Sequence, residues 1–130
     1  MKKVTVFGAG AWGSTMAQVL SDAGCDVLLW GRNQDVVDEI NSSHTNNKYL
    51  GIHVLPKEIK ATSNLEEAFS FSSRYVLAIP AQQLRTTLGE WKHLFGPDAL
   101  IISTLKGIEI STQMRMTEII EEVLGTDRTA

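Results

Sequence analysis

The feature that most constrains this chain is a glycine spacing, Gly8-Ala9-Gly10-Ala11-Trp12-Gly13, placed where one apolar pattern gives way to another. Before it, Lys3 to Phe7 is a short β-branched and aromatic run, the composition of a strand. After it, Met16, Ala17, Val19 and Leu20 recur at helical spacing between Trp12 and Ala23. A strand that turns directly into a helix needs glycine at three points. Gly8 serves the tight turn, Gly10 allows a ligand to approach the backbone, and Gly13 allows close helix–strand contact. The amides of Ala11 and Trp12 then face outward from a helix N-terminus, where hydrogen bonds and the helix dipole favour an anion. In this context the spacing predicts a loop that receives the pyrophosphate of a nicotinamide dinucleotide.

The rest of the chain continues the alternation. Gly24 reads as a helix C-terminal glycine. Asp26 to Trp30 is too continuously apolar for a strand with one wet face, which implies parallel pairing with both faces buried. A helix through Val36, Val37 and Ile40 follows, with Asn33 as its N-cap. The polar stretch from Asn41 to Lys48, running on to about Glu58, is long for a connection in a compact domain and is a candidate binding loop. Ile59 to Thr62 reads as a strand, and Ser63 with Glu66 as the capping box of a helix through Leu65, Ala68 and Phe69. Tyr75 to Ile79 is a fourth strand halted by Pro80, followed by a helix from about Gln82 to Phe95 and a fifth strand from Ala99 to Leu105. The last helix is expected to start at a Ser111 or Thr112 cap and to end at Gly125, with a sixth strand beginning near Thr126 to Ala130. Strands alternating with helices through right-handed connections predict one α/β domain spanning residues 1–130, a doubly wound, Rossmann-like and mainly parallel sheet with helices on both faces.

Composition narrows the function classes. With 12 basic and 15 acidic side chains the net charge is −3, so no electrostatic footprint for nucleic acid or an anionic membrane is present, and any anion must be bound locally. The single cysteine, Cys25, excludes an intramolecular disulfide and reads as a small buried hydrophobe. No apolar run is long enough for membrane insertion, and a cytoplasmic location is expected. His44, His53 and His93 lack metal-ligand spacing, so no metal is expected.

Other residues join the glycine loop as site candidates. Dinucleotide folds that select NAD place an acidic residue about 20 positions after the glycines to hold the ribose 2′-hydroxyl. Here Trp30-Gly31-Arg32-Asn33 occupies that place. With no carboxylate to repel a 2′-phosphate, Arg32 could pair with it through a bidentate fork, which favours tolerance of NADP beside NAD. Stacking of its guanidinium on adenine is the alternative role. Pro80 and Lys106 lie at the carboxyl ends of strands, the edge at which open α/β sheets bind ligands. Lys106 could meet a phosphate or carbonyl oxygen there, or be an ordinary surface lysine. Trp12 could pack on the cofactor or fill the core, whereas Trp91 reads as core.

Taken together, Val6-Phe7-Gly8-Ala9-Gly10-Ala11-Trp12-Gly13, Leu29-Trp30-Gly31-Arg32, Tyr49-Leu50, Leu55-Pro56, Ala78-Ile79-Pro80-Ala81-Gln82 and Lys106-Gly107-Ile108-Glu109 resemble the bacterial-type NAD(P)-dependent glycerol-3-phosphate dehydrogenases. The resemblance covers nearly the whole chain. It implies hydride transfer between NAD(P)H and dihydroxyacetone phosphate, interconverting it with sn-glycerol 3-phosphate for glycerophospholipid synthesis. It also implies that Ala11, Trp12, Arg32, Asn33 and Tyr49 line the dinucleotide and that Lys106 touches cofactor and substrate. In this family the general acid–base is a lysine of a second, helical domain, so the 130 residues read as a truncated cofactor domain that is inactive alone, and a homodimer is the expectation for the longer protein. One departure is Gly51, where members commonly have proline after the leucine. Two other readings stay open: a dinucleotide-sensing regulatory module without chemistry, and a related dehydrogenase with another substrate.

Overall fold

The computed structural model describes residues 2–130. Five strands, β1 (Lys3–Phe7), β2 (Asp26–Trp30), β3 (Lys60–Thr62), β4 (Arg74–Leu77) and β5 (Leu100–Ser103), form one sheet in the order β3-β2-β1-β4-β5. Every adjacent pair is parallel. The chain builds outward from β1 to β3, then crosses back to β4 on the other side of β1. That reversal opens a crevice at the carboxyl ends of β1 and β4, the place where such sheets bind ligands.

Helices cover both faces. On one face α1 (Ala11–Asp22) and α2 (Gln34–Ser43) bury Ala17, Val36, Val37 and Ile40 against Val4, Val6, Val27 and Leu29. On the other, α4 (Leu65–Phe71), α5 (Leu84–Trp91) and α6 (Met116–Leu124) pack Phe69, Leu88, Trp91 and Ile120 against Phe7, Tyr75 and Leu77. The period-2 alternation of β1 therefore serves two cores at once. Thr5, fully buried between hydrophobic neighbours, is satisfied by donating its hydroxyl to the Ala68 carbonyl at 2.8 Å. The second core is largely aromatic, with the Phe7 and Trp91 ring centroids 5.0 Å apart and Trp30 edge-on to Trp91 at 5.2 Å.

Several boundaries differ from the sequence expectation. The cap of α4 is Asn64, not Ser63: the Asn64 side chain accepts from Glu67 N, while the Ser63 hydroxyl bonds Gln34. Asn outcompetes Ser here because Thr62 Oγ1 accepts from Asn64 N and holds it in place. The helix expected over 82–95 is α5 between two 3-10 turns, Ala81–Gln83 and Lys92–Leu94. Residues 111 and 112 do not cap the last helix. It starts four residues beyond Thr112, with Arg115 in the capping position and its N–H donating to Glu118. Thr112 is instead drawn to Glu109, to which its hydroxyl donates. The long polar connection contains one helical turn, α3 (Asn47–Leu50). At the other edge of the sheet, residues 128–130 pair with β5, as expected of a sixth strand: Ile101 N donates to Arg128 O at 2.9 Å and Ser103 N to Ala130 O at 2.7 Å.

Candidate functional site

The turn after β1 is shaped by backbone crowding. Gly8 holds φ at +116°, and a Cβ there would run into the Ala78 carbonyl of the neighbouring strand end. At Gly13 a Cβ would overlap the Gly8 carbonyl oxygen, so only glycine lets α1 begin this close to β1. Gly10, by contrast, has open space where its side chain would be. A ligand could occupy that space, and the role expected of each glycine corresponds to a different local geometry.

α1 begins without a side-chain cap and without an acid in its first turn. Its first intrahelical bond is Ser14 N to Gly10 O at 3.0 Å, so the amides of Ala11, Trp12 and Gly13 have no helical partner. Those donors open onto a cavity of about 820 Å³, a volume typical of small-molecule and cofactor pockets. The glycine turn and α1 start supply one wall, with Trp12 half exposed rather than in the core. Arg32 and Asn33 line the end beyond β2, where Asn33 also caps α2 by accepting from Asp35 N at 2.9 Å. Tyr49 stands on α3 at 44% exposure, and Pro80 and Lys106 line the opposite wall past β4 and β5. All ten residues singled out in the sequence thus border one cavity, although they come from five separate segments.

The electrostatics are one-sided. No Asp or Glu borders the cavity, while Arg32 and Lys106 lie on it, both exposed and without an ion-pair partner among the described residues. A donor-rich turn flanked by two cations suits a ligand with several anionic oxygens. Gly31 approaches Ala9 so closely that a Cβ would come within 2.7 Å of the Ala9 Cβ, which brings the Arg32 corner against the glycine turn.

Three supporting residues were not visible as such in the sequence. Asn46 is fully buried and bonds the glycine turn. Glu109, 6% exposed, accepts from Arg85 Nε through both oxygens at 3.2 and 3.1 Å. Gln82 donates to Ile108 O and accepts from Ile110 N, both at 3.0 Å. The last two fasten the irregular segment carrying Lys106 onto the start of α5. Hydrogen bonds from Arg85 and Thr112 hold the Glu109 carboxyl below the usual carboxylate range. The only local signal for Glu109 was an acid between two isoleucines; for Asn46, in a run of asparagines and serines, there was none.

Gly51 ends α3 at φ +62°, a region closed to proline, whose ring holds φ near −65°. A proline there would require a different backbone path for this loop. Tyr49 precedes that point and still reaches the cavity wall.

Comparison with known proteins agrees with this architecture. Residues 3–130 match the family model described as NAD-dependent glycerol-3-phosphate dehydrogenase N-terminus. A glycerol-3-phosphate dehydrogenase (NAD(P)+) of Streptomyces avermitilis is 45% identical over 130 residues, covering 98% of this chain and 39% of that protein. One of Corynebacterium diphtheriae is 49% identical over 123 residues, covering 95% and 37%. The crystal structure of a glycerol-3-phosphate dehydrogenase from Coxiella burnetii superposes with a TM-score of 0.86 at 26% identity, covering 96% of this chain and 38% of that one. The chain spans about two fifths of the length of the curated relatives it matches. With the family model matching from Lys3 to Ala130, the chain belongs to the NAD-dependent glycerol-3-phosphate dehydrogenase family, in its N-terminal part.

Proposed function

We propose that this chain is the cofactor-binding domain of an NAD(P)-dependent glycerol-3-phosphate dehydrogenase, an oxidoreductase that interconverts dihydroxyacetone phosphate and sn-glycerol 3-phosphate. The observation that carries the reading is the uncapped start of α1 at the glycine turn, opening onto a cavity that two cations and no carboxylate border. The residues present fit a nicotinamide dinucleotide. The amides of Ala11 and Trp12 would hold its pyrophosphate, Gly10 leaves room for it, and Arg32 with Asn33 would hold the adenosine end. NADP is accommodated as well as NAD, because no acid stands after β2 where a 2′-phosphate would lie.

When bound, the nicotinamide supplies or accepts the hydride. Lys106, across the cavity, would place its ammonium against anionic oxygens of cofactor and substrate, and Pro80 and Tyr49 would narrow the walls around the dinucleotide. Positioning and preorganised charge of this kind lower a barrier without any group here exchanging a proton. The general acid–base is assigned to a lysine in the part of the longer protein that residues 1–130 do not span.

The test uses the longer protein with NADPH and dihydroxyacetone phosphate, following loss of the reduced cofactor's absorbance. Oxidation dependent on the phosphorylated ketone is expected, while residues 1–130 alone bind cofactor without turnover. Turnover by residues 1–130 would overturn the division of labour, and NADPH oxidation with a keto acid or an oxidised sugar nucleotide but not with dihydroxyacetone phosphate would reassign the substrate.

A further inference from the structure

We infer that Asn46 is a positioning residue for the cofactor cradle, holding the Tyr49-bearing turn and the glycine turn in one fixed relation so that both act on the same ligand. The inference rests on the reading of the cavity as a dinucleotide site. It concerns a residue that does not itself border that cavity.

Asn46 lies in a stretch, Asn41 to Lys48, whose composition predicts exposure. It is fully buried instead. Removing an amide side chain from water costs free energy unless hydrogen bonds are regained, and here both N–H donors are used on one target region. Nδ2 donates to Ala9 O at 2.9 Å and to Ser14 Oγ at 3.0 Å. Ala9 lies between Gly8 and Gly10, and Ser14, also fully buried, is in the first turn of α1. The backbone of the same residue does the second half of the work. Its carbonyl accepts from Tyr49 N at 3.1 Å and from Leu50 N at 2.8 Å, so Asn46 is the first residue of the turn that presents Tyr49. One residue therefore bonds the pyrophosphate turn with its side chain and the Tyr49 turn with its main chain, across 37 positions of sequence.

The bond to Ala9 also has an electrostatic consequence. A carbonyl oxygen aimed at an anion would repel it. By engaging the Ala9 oxygen from a fully buried position, Asn46 directs that dipole into the protein and leaves N–H groups facing the cavity. Asn46 Oδ1 is buried and accepts no hydrogen bond among the described residues. An unsatisfied buried acceptor lowers stability, so filling space alone would favour an apolar side chain of similar size. The fold of the segment does not hang on Asn46 alone: Glu39 Oε2 accepts from Thr45 Oγ1 at 2.6 Å and from Asn47 N at 2.8 Å, and Leu55 N donates to His44 O at 2.7 Å. Variants at 46 should therefore fold while their cofactor geometry is loosened.

The experiment is a double-mutant cycle on NADPH affinity in the full-length protein, read by fluorescence titration, with Asn46→Ala, Tyr49→Ala and the pair. Asn46→Ala should weaken binding roughly tenfold, and the pair should be within about twofold of Asn46→Ala, because Tyr49 is already misplaced once its anchor is gone. Losses that multiply would overturn the inference, since a purely structural Asn46 lowers the melting temperature without coupling to Tyr49. If Asn46→Ala does not fold, Asn46→Ser takes its place in the same cycle and is judged by the same criterion. Ser14→Ala, which spares the Ala9 bond, should bind within about threefold of the unsubstituted protein; a loss equal to that of Asn46→Ala would overturn the role given to Ala9. No binding of NADPH or NADH by the unsubstituted protein refutes the cofactor reading itself, whereas binding with independent losses refutes only the role of Asn46.

Discussion

At the scale of single residues, the cavity is built mainly from what is missing. A Cβ is missing at Gly8, Gly10 and Gly13, a side-chain cap is missing at the start of α1, and an acid is missing after β2. Each absence leaves either space or unspent hydrogen-bond donors, and both were legible in the sequence because they follow from local sterics. Arg32 is the residue whose role separates the two cofactors. If its guanidinium pairs with a 2′-phosphate, Arg32→Ala should weaken NADPH more than NADH by about 1–3 kcal/mol, or roughly ten- to hundredfold. Parallel titrations with both cofactors decide this, and equal losses would give Arg32 the stacking role instead. Asn46 illustrates the limit at this scale. It shares its stretch with Asn41 and Asn47, and Asn41 is spent elsewhere, pairing its amide with both backbone groups of Ala61 at the edge of β3.

At the scale of elements, the alternation of strands and helices was readable from periodicity, and the caps less so. Asn33 is the N-cap of α2 as its sequence position suggests, its side chain accepting from Asp35 N at 2.9 Å. Ser63 lost to Asn64 because Gln34, distant in sequence, claimed its hydroxyl, and Thr112 lost to a later start because Glu109, three residues before it, did. The segment from Lys106 to Arg115 is the clearest case. It has no regular structure of its own, yet Gln82 and Arg85 fix it from α5 and the turn before it. Arg85 depresses the Glu109 carboxyl first by hydrogen bonding, with Thr112 adding to it. A depressed carboxylate adds stability that is complete above its ordinary titration range and is lost as pH falls through the lowered value. Glu109→Gln should therefore lower the melting temperature at neutral pH. It should also make the decline in acid shallower than in the unsubstituted protein. Melting curves collected from neutral pH downward measure this; an unchanged acid limb would mean that the pair adds nothing to stability.

At the scale of the whole molecule, two cores on opposite faces of one sheet hold the crevice open at its carboxyl edge. The aromatic core joins β1, β2, α4 and α5, because Phe7, Trp30, Phe69 and Trp91 touch one another across those four elements. Trp91→Ala should lower unfolding stability by about 3–5 kcal/mol, a large part of the 5–15 kcal/mol usual for a domain. Urea denaturation would measure the loss, and a change under about 1 kcal/mol would show that the cluster repacks around the gap. The sequence by itself determined the strand–turn–helix with its glycines, the parallel character of the sheet and the identity of the residues that could bind an anion. The glycine turn follows from sterics within a few positions of chain, and the parallel pairing is legible because Asp26 to Trp30 is too continuously apolar for a strand with one wet face. Only the tertiary structure decided that Tyr49, Pro80 and Lys106 line one cavity together with Arg32, that Asn46 lies buried against the glycine turn, and that Glu109 anchors the lysine segment. The physical reason is that the order β3-β2-β1-β4-β5 sets which strand ends are neighbours, and that order is settled by packing between residues far apart in sequence.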